Sequence, residues 1–200
     1  MKRSNPKANR WEDHYARRAK KENFPARSVY KLEEIQQKYH LIKAGDAVLD
    51  LGCAPGSWLL YAARQTGDRG RVVGIDLSPI KQRLPENVRV LTGDVFELNQ
   101  ELRAAIGTGF QVVLSDMAPA TTGNRIVDTA RSFNLCQAAL AIARDLLLPG
   151  GAFVCKIFQG EDFKLFADEV KTLFSRSKIF KPQSSRKASR EIFIIGMGKK

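Results

Sequence analysis

The stretch AVLDLGCAPGSW, residues 47–58, reads as a strand, a loop and the start of a helix. Ala47 to Leu51 is short and almost wholly apolar, and Gly52, Pro55 and Gly56 then break regular structure. Ser57 opens a helical run to about Thr66. A buried strand running through a Gly/Pro loop into a helix is a repeating unit of α/β folds.

The same rhythm recurs downstream. Arg71–Asp76, Val88–Leu91, Phe110–Asp116 and Ala152–Phe158 read as further strands. Helices are expected from a Ser28 cap to Tyr39, over 97–106, over 127–147 and over 162–175. Leu135, Ala138, Ala139, Ile142 and Leu146 are expected to form the buried side of the third of these. Phe163, Phe166, Val170 and Leu173 give the fourth one apolar face. Lys178–Phe180 and Glu191–Met197 read as the sixth and seventh strands.

Strands alternating with helices imply a mostly parallel sheet covered on both faces. The 181–190 connection is too short for a helical crossover, so the last strand is expected to run antiparallel. The expected fold is α/β and Rossmann-like, with seven strands. One domain, residues 25–200, is expected to follow a basic arm, residues 1–24. That arm is read as mobile or substrate-ordered, with a short helix around Trp11 to Lys21.

Charge is unevenly placed. The formal net charge is +12, with +5 in residues 1–22, −1 in residues 23–170 and +8 in residues 171–200. A neutral body with two basic ends favours a polyanion, most often nucleic acid. Neither end reads as an amphipathic membrane helix with bulky apolar residues. The longest apolar stretches fall short of the ~20 residues of a membrane span, and no apolar signal segment follows the basic start. Cys53, Cys136 and Cys155 are scattered, with no CxxC pair to hold a metal. They read as small apolar residues of a reducing, cytoplasmic protein.

In an open α/β sheet the ligand lies at the carboxyl ends of the parallel strands. Asp50, Asp76, Asp94 and Asp116 lie at or near those ends, and Lys156 sits within the fifth strand. Glu191 joins them because an antiparallel strand begins on that edge. The loop Gly52–Gly56 lets backbone approach a ligand but lacks the Gly-Lys-Ser/Thr of a P-loop. It also lacks the GxGxxG of a dinucleotide site, which argues against a nicotinamide oxidoreductase. Asp76, 24 residues after Gly52, could accept ribose hydroxyls. With Asp94 it points to a nucleoside ligand without pyrophosphate, S-adenosylmethionine.

Five segments together carry a resemblance: RSVYKLEEI (27–35), DLGCAPGSW (50–58), SDMAP (115–119), CKIFQG (155–160) and SRKASREIFIIG (185–196). In order and spacing the chain resembles the FtsJ/RrmJ family of S-adenosylmethionine-dependent RNA ribose 2′-O-methyltransferases. It is most similar to the stand-alone bacterial branch acting on a uridine of 23S ribosomal RNA, in the A-loop of the large subunit. The resemblance implies the class I methyltransferase version of the fold. It also implies a tetrad of Lys31, Asp116, Lys156 and Glu191, and cofactor contacts at Gly52, Gly56, Trp58, Asp76, Asp94 and Asp116. By pattern alone Lys31 is a solvated helix lysine, and Trp58 a core aromatic.

Lys156 is the expected general base. Burial and a neighbouring cation favour its neutral amine, while Asp116 and Glu191 favour the ammonium. Arg186, Lys187 and Arg190, in the loop before the last strand, are expected to contact RNA phosphates. No metal is implied, and a monomer is expected. Within the family, transfer RNA and messenger RNA caps are alternative substrates. A non-catalytic RNA-binding assembly factor would explain the basic ends but not the tetrad.

Overall fold

The computed structural model describes residues 10–186 and 188–200. Its strands are β1 (Ala47–Leu51), β2 (Arg71–Asp76), β3 (Val88–Thr92), β4 (Phe110–Ser115), β5 (Leu147–Phe158), β6 (Phe174–Phe180) and β7 (Glu191–Lys199). Its helices are α1 (Arg10–Lys21), α2 (Val29–Tyr39), α3 (Ser57–Thr66), α4 (Gln100–Ile106), α5 (Arg125–Leu146) and α6 (Phe163–Leu173). The strands form one sheet in the order β3-β2-β1-β4-β5-β7-β6. β7 runs antiparallel to both of its neighbours, while β1 to β5 pair in parallel. The connection from β3 crosses back to β4, so the order reverses between β1 and β4. Ligands collect at such a reversal.

Alternation along the strands sorts the core into two layers. Leu49, Leu51, Val73, Ile75, Val113, Phe153 and Cys155 pack with α5 and α6 on one face. Val48, Val72, Val112, Leu114, Val154, Phe193 and Ile195 pack under α2 and α3 on the other. α2 is held there by Val29, Tyr30, Leu32 and Ile35, all fully buried. Each such large side chain contributes roughly 1.5–3 kcal/mol. Residues 15–24 of the basic arm pack on this layer. Ala19 and Phe24 are buried, and Arg18 reaches Glu33 at 3.3 Å. Residues 1–9 of the arm lie outside the described residues.

Several local expectations change. Ser28 occupies the N-cap position of α2, but its side chain makes no capping bond. Its carbonyl instead accepts from the Trp58 indole N–H at 2.9 Å. α4 begins only at Gln100, because Asn99 caps it by accepting from Leu102 N. β5 begins at Leu147 and passes through Pro149-Gly150-Gly151, where the register with β4 shifts. β6 starts four residues earlier than expected, at Phe174, since Phe174 is buried against Phe153. The buried side of α5 is also rotated. Ser132, Cys136, Ala139, Leu140, Ile142, Ala143 and Leu146 face inward, along with Asp128. Ser132 accepts from Phe158 N, and Asp128 accepts from Thr122 N. These polar anchors displace Leu135 and Ala138 from the centre of the face.

Candidate active site

Strand alternation gathers four charged or ionisable side chains into one layer. Asp50 follows Val48, Asp116 follows Leu114, Lys156 follows Val154, and Glu191 precedes Phe193, each by two positions. All four apolar partners belong to the layer under α2 and α3. Asp116, Lys156 and Glu191 therefore meet at the rim of that layer. α2 runs over the rim and carries Lys31.

Lys156 is only 6% exposed, where an unpaired ammonium would be costly. Its Nζ donates to the Asp116 carbonyl oxygen and stands 2.9 Å from Asp116 Oδ1. The second contact is one of charge without hydrogen-bond alignment, since Oδ1 accepts no hydrogen bond. Lys31 Nζ donates to Glu191 Oε2 at 2.8 Å and lies 3.6 Å from Asp116 Oδ1. The result is an alternating row of Glu191, Lys31, Asp116 and Lys156. A row of alternating charge holds two lysines side by side without leaving either carboxylate unpaired.

Two carboxyl groups respond in opposite directions. Burial pushes Glu191 upward, but the charge and hydrogen bond of Lys31 lead the opposing influences that bring it below its ordinary value. Asp50 has no such partner. Burial, and then the charges of Asp116 and Asp76, hold its carboxyl well above the usual range. Its Oδ2 is buried and accepts nothing, which suits a protonated acid better than an anion.

Beside the row, at the ends of β1, β2, β3 and β4, opens a cavity of about 390 Å³. Gly52, Asp76, Asp94 and Asp116 line it, together with the apolar Leu77, Phe96, Met117 and Leu135. Among the described residues its lining contains three carboxylates and no lysine or arginine. Such a wall repels a pyrophosphate and suits a cationic or zwitterionic nucleoside. Asp76 already accepts from Ala54 N and Ser78 N, at 2.9 and 2.8 Å, which fixes the carboxylate and leaves lone pairs for hydroxyls. Asp94 is fixed in the same way by Phe96 N at 2.9 Å. Gly52 has φ 73°, and a Cβ there would run into the Met117 side chain, so the loop needs glycine.

Gly56 and Trp58 do not line the cavity. Gly56 is the N-cap of α3, with φ 106°. No side chain caps the helix there, so its first N–H groups remain as donors for a carboxylate. The Trp58 indole is buried and stacks on Phe193 at 5.9 Å, tying α3 to β7. Sequence did not mark Leu77, Phe96 or Met117 as site residues, and it marked Leu135 only as part of the buried side of a helix. Their position directly after β2, after β3, after β4 and in α5 is the only signal for them.

The 181–190 loop lies on the same edge. Arg186 is exposed, and Arg190 is half-buried immediately before Glu191. Lys187 lies outside the described residues. Gln159 N donates to the Arg190 carbonyl at 3.0 Å, which ties the loop to the end of β5.

Known proteins share this architecture. A Plasmodium falciparum protein described as a ribosomal RNA methyltransferase superposes with a TM-score of 0.77 at 25% identity, over 88% of this chain and 98% of its own. Aeropyrum pernix fibrillarin, solved with S-adenosyl-L-methionine, superposes with a TM-score of 0.56 at 20% identity, over 78% of this chain and 68% of its own. The second likeness concerns the fold alone. Curated relatives named Ribosomal RNA large subunit methyltransferase E are far more similar in sequence. The protein from Desulforapulum autotrophicum is 59% identical, covering 99% of this chain and 98% of its own. That from Desulfatibacillum aliphaticivorans is 54% identical, covering 100% and 97%. The FtsJ-like methyltransferase family matches residues 24–199. Over nearly its whole length, then, this chain belongs to the FtsJ-like methyltransferase family.

Proposed function

We propose that this protein methylates a ribose 2′-hydroxyl of large-subunit ribosomal RNA, a uridine in the A-loop, using S-adenosylmethionine. The observation that carries the reading is the double role of Asp116. It lines the cavity and its carboxylate lies 2.9 Å from Lys156 Nζ, so a cofactor in the cavity would lie beside a lysine base. The acidic, partly apolar lining fits the cofactor's nucleoside and cationic centre. Asp76 and Asp94 would hold its polar groups, and the uncapped start of α3 at Gly56 and Trp58 would offer backbone donors to its carboxylate. When bound, the cofactor supplies an electrophilic methyl group on a sulfonium.

The remaining work is positioning and proton transfer. Lys156, as the neutral amine, takes the proton of the 2′-hydroxyl. The Asp116 carbonyl and carboxylate receive the ammonium so formed. Lys31 and Glu191 hold Asp116 and the β7 end of the rim in place. The arm, residues 1–24, and the loop residues Arg186, Lys187 and Arg190 grip RNA phosphates around one domain, residues 25–200. Those contacts set register without reading sequence. The relatives' names support the ribosomal substrate and with it a cytoplasmic place of action; the protein is taken to act as a monomer.

The test is methyl transfer from labelled cofactor to purified large ribosomal subunits, free ribosomal RNA, transfer RNA and capped messenger RNA. Mapping of the product should find one 2′-O-methyluridine in large-subunit RNA. Preferential labelling of transfer RNA, of caps or of protein would overturn the substrate assignment.

A further inference from the structure

Lys31 is flanked by two side chains that do not touch the charged row, Arg27 in the turn before α2 and Glu34 on α2. Glu34 lies three residues after Lys31, a spacing that shares one helix face. Arg27 and Glu34 both reach the 181–190 loop. Glu34 Oε2 accepts from Gln183 N at 2.6 Å, and Glu34 Oε1 accepts from Ser184 N at 2.8 Å. Arg27 Nη2 donates to the Ser184 carbonyl at 2.7 Å. Residues 182–185 form a tight turn, closed by Ser185 N donating to the Pro182 carbonyl at 3.2 Å. The two successive N–H groups inside that turn make a small anion seat, and Glu34 fills it.

We propose that Glu34, supported by Arg27, is a positioning residue for methyl transfer: it clamps the 182–185 turn to α2 so that Glu191 meets Lys31. This rests on the function proposed above. The geometry makes the clamp local. α2 keeps its place through its own buried residues, whether or not Glu34 is present. The 182–185 turn has fewer anchors of its own, although Gln159 ties the later Arg190 to β5. Ser184 and Ser185 are buried, and the Ser185 hydroxyl is among the influences that lower the Glu191 carboxyl, so the turn bears directly on Glu191. Six residues after the turn, Glu191 begins β7. Loss of the clamp therefore frees the turn and blurs the Glu191–Lys31 contact, while the cavity at β1 to β4 stays intact. The same turn precedes Arg186 and Arg190, so the clamp also fixes where the RNA-facing segment starts.

Glu34→Ala removes both acceptors, and Glu34→Gln leaves one. The readouts are kcat, KM for RNA and Kd for S-adenosylmethionine, measured on wild type and both variants. The expected result is a kcat at least about tenfold lower in Glu34→Ala and intermediate in Glu34→Gln, with cofactor Kd within about twofold of wild type. Arg27→Gln should lower kcat in the same direction by less. A kcat within twofold of wild type in Glu34→Ala would overturn the proposal. So would loss of cofactor binding in parallel with kcat, since the effect would then run through the whole fold. If wild type itself transfers no methyl group to RNA, the proposed function fails instead, and the two failures are distinct.

Discussion

Lys31 Nζ and Glu191 Oε2 meet at 2.8 Å although 160 positions separate the residues in the chain. The contact joins the first helix over the rim to the first residue of the last strand. Glu191 sits below its ordinary value of 4.5 because Lys31 leads the influences opposing burial. A depressed folded-state value means that the pair stabilises the fold above about pH 4.5 and stops doing so as pH falls through the lowered value. In Lys31→Ala burial loses its main opponent, so the Glu191 carboxyl should move upward. NMR titration of that carboxyl in both proteins checks it; an unmoved midpoint would contradict the pairing.

Lys156→Ala should lower kcat by at least about 10²-fold, the usual scale for losing a general base. The substitution lies outside the cavity lining, so cofactor Kd should change little. Single-turnover transfer and cofactor titration on the same preparation separate the two. Near-normal turnover would remove Lys156 from the chemistry.

Asp50→Asn should stabilise the protein at neutral pH. The wild-type carboxyl ionises at its ordinary value in the unfolded chain and well above it when folded. Its raised folded-state value means that stability is greatest below the unfolded value and is lost as pH rises above it, by up to about 1.4 kcal/mol per pH unit. An amide does not titrate, so the gap in melting temperature between variant and wild type should widen from pH 4.5 to pH 7.5. Parallel melting curves would show that Asp50 is ionised in the fold.

RNA binding should weaken steeply with salt, because phosphate contacts release counterions. Arg186→Ala and Arg190→Ala should each weaken binding to all RNA sequences alike and reduce the salt slope by roughly one. Filter binding at several salt concentrations measures both. A salt-independent affinity would argue against the loop as a phosphate grip.

Gln36→Leu tests the packing under α2. The buried Gln36 carboxamide donates to the Ile42 carbonyl at 2.7 Å and accepts from Ile42 N at 2.9 Å. Leucine would strand both backbone groups, at a cost of about 1–3 kcal/mol each. Urea unfolding should register a large loss of stability.

Much of this was legible in the sequence, for identifiable reasons. β1, β2 and β4 are apolar runs bounded by Gly, Pro or Asp, and the 181–190 loop was too short to return a parallel strand. Asp116, Lys156 and Glu191 followed from strand ends alone. Lys31 did not, because its partners lie far along the chain and its own neighbours look solvated. Trp58 was expected against the cofactor, yet its indole is spent on Ser28 and Phe193. On α5, Ala139, Ile142 and Leu146 are buried as expected, while Leu135 and Ala138 are only half-buried because Asp128 and Ser132 turn inward to satisfy backbone groups, which hydrophobic spacing ignores. Glu34 escaped notice for the same reason as Lys31: a glutamate on an exposed-looking helix face carries no local mark of a turn about 150 residues away.

The reversal of β7 also has a consequence for the order in which the protein is made. The cavity lining ends at Leu135, so everything it needs has left the ribosome well before the last strand. Glu191 arrives with the closing hairpin, and β7 must slot between β5 and β6 to deliver it. A nascent chain therefore carries all the lining residues of its pocket before it carries Glu191, and its charged row is complete only with β7. The protein cannot present a complete site until β7 has been translated.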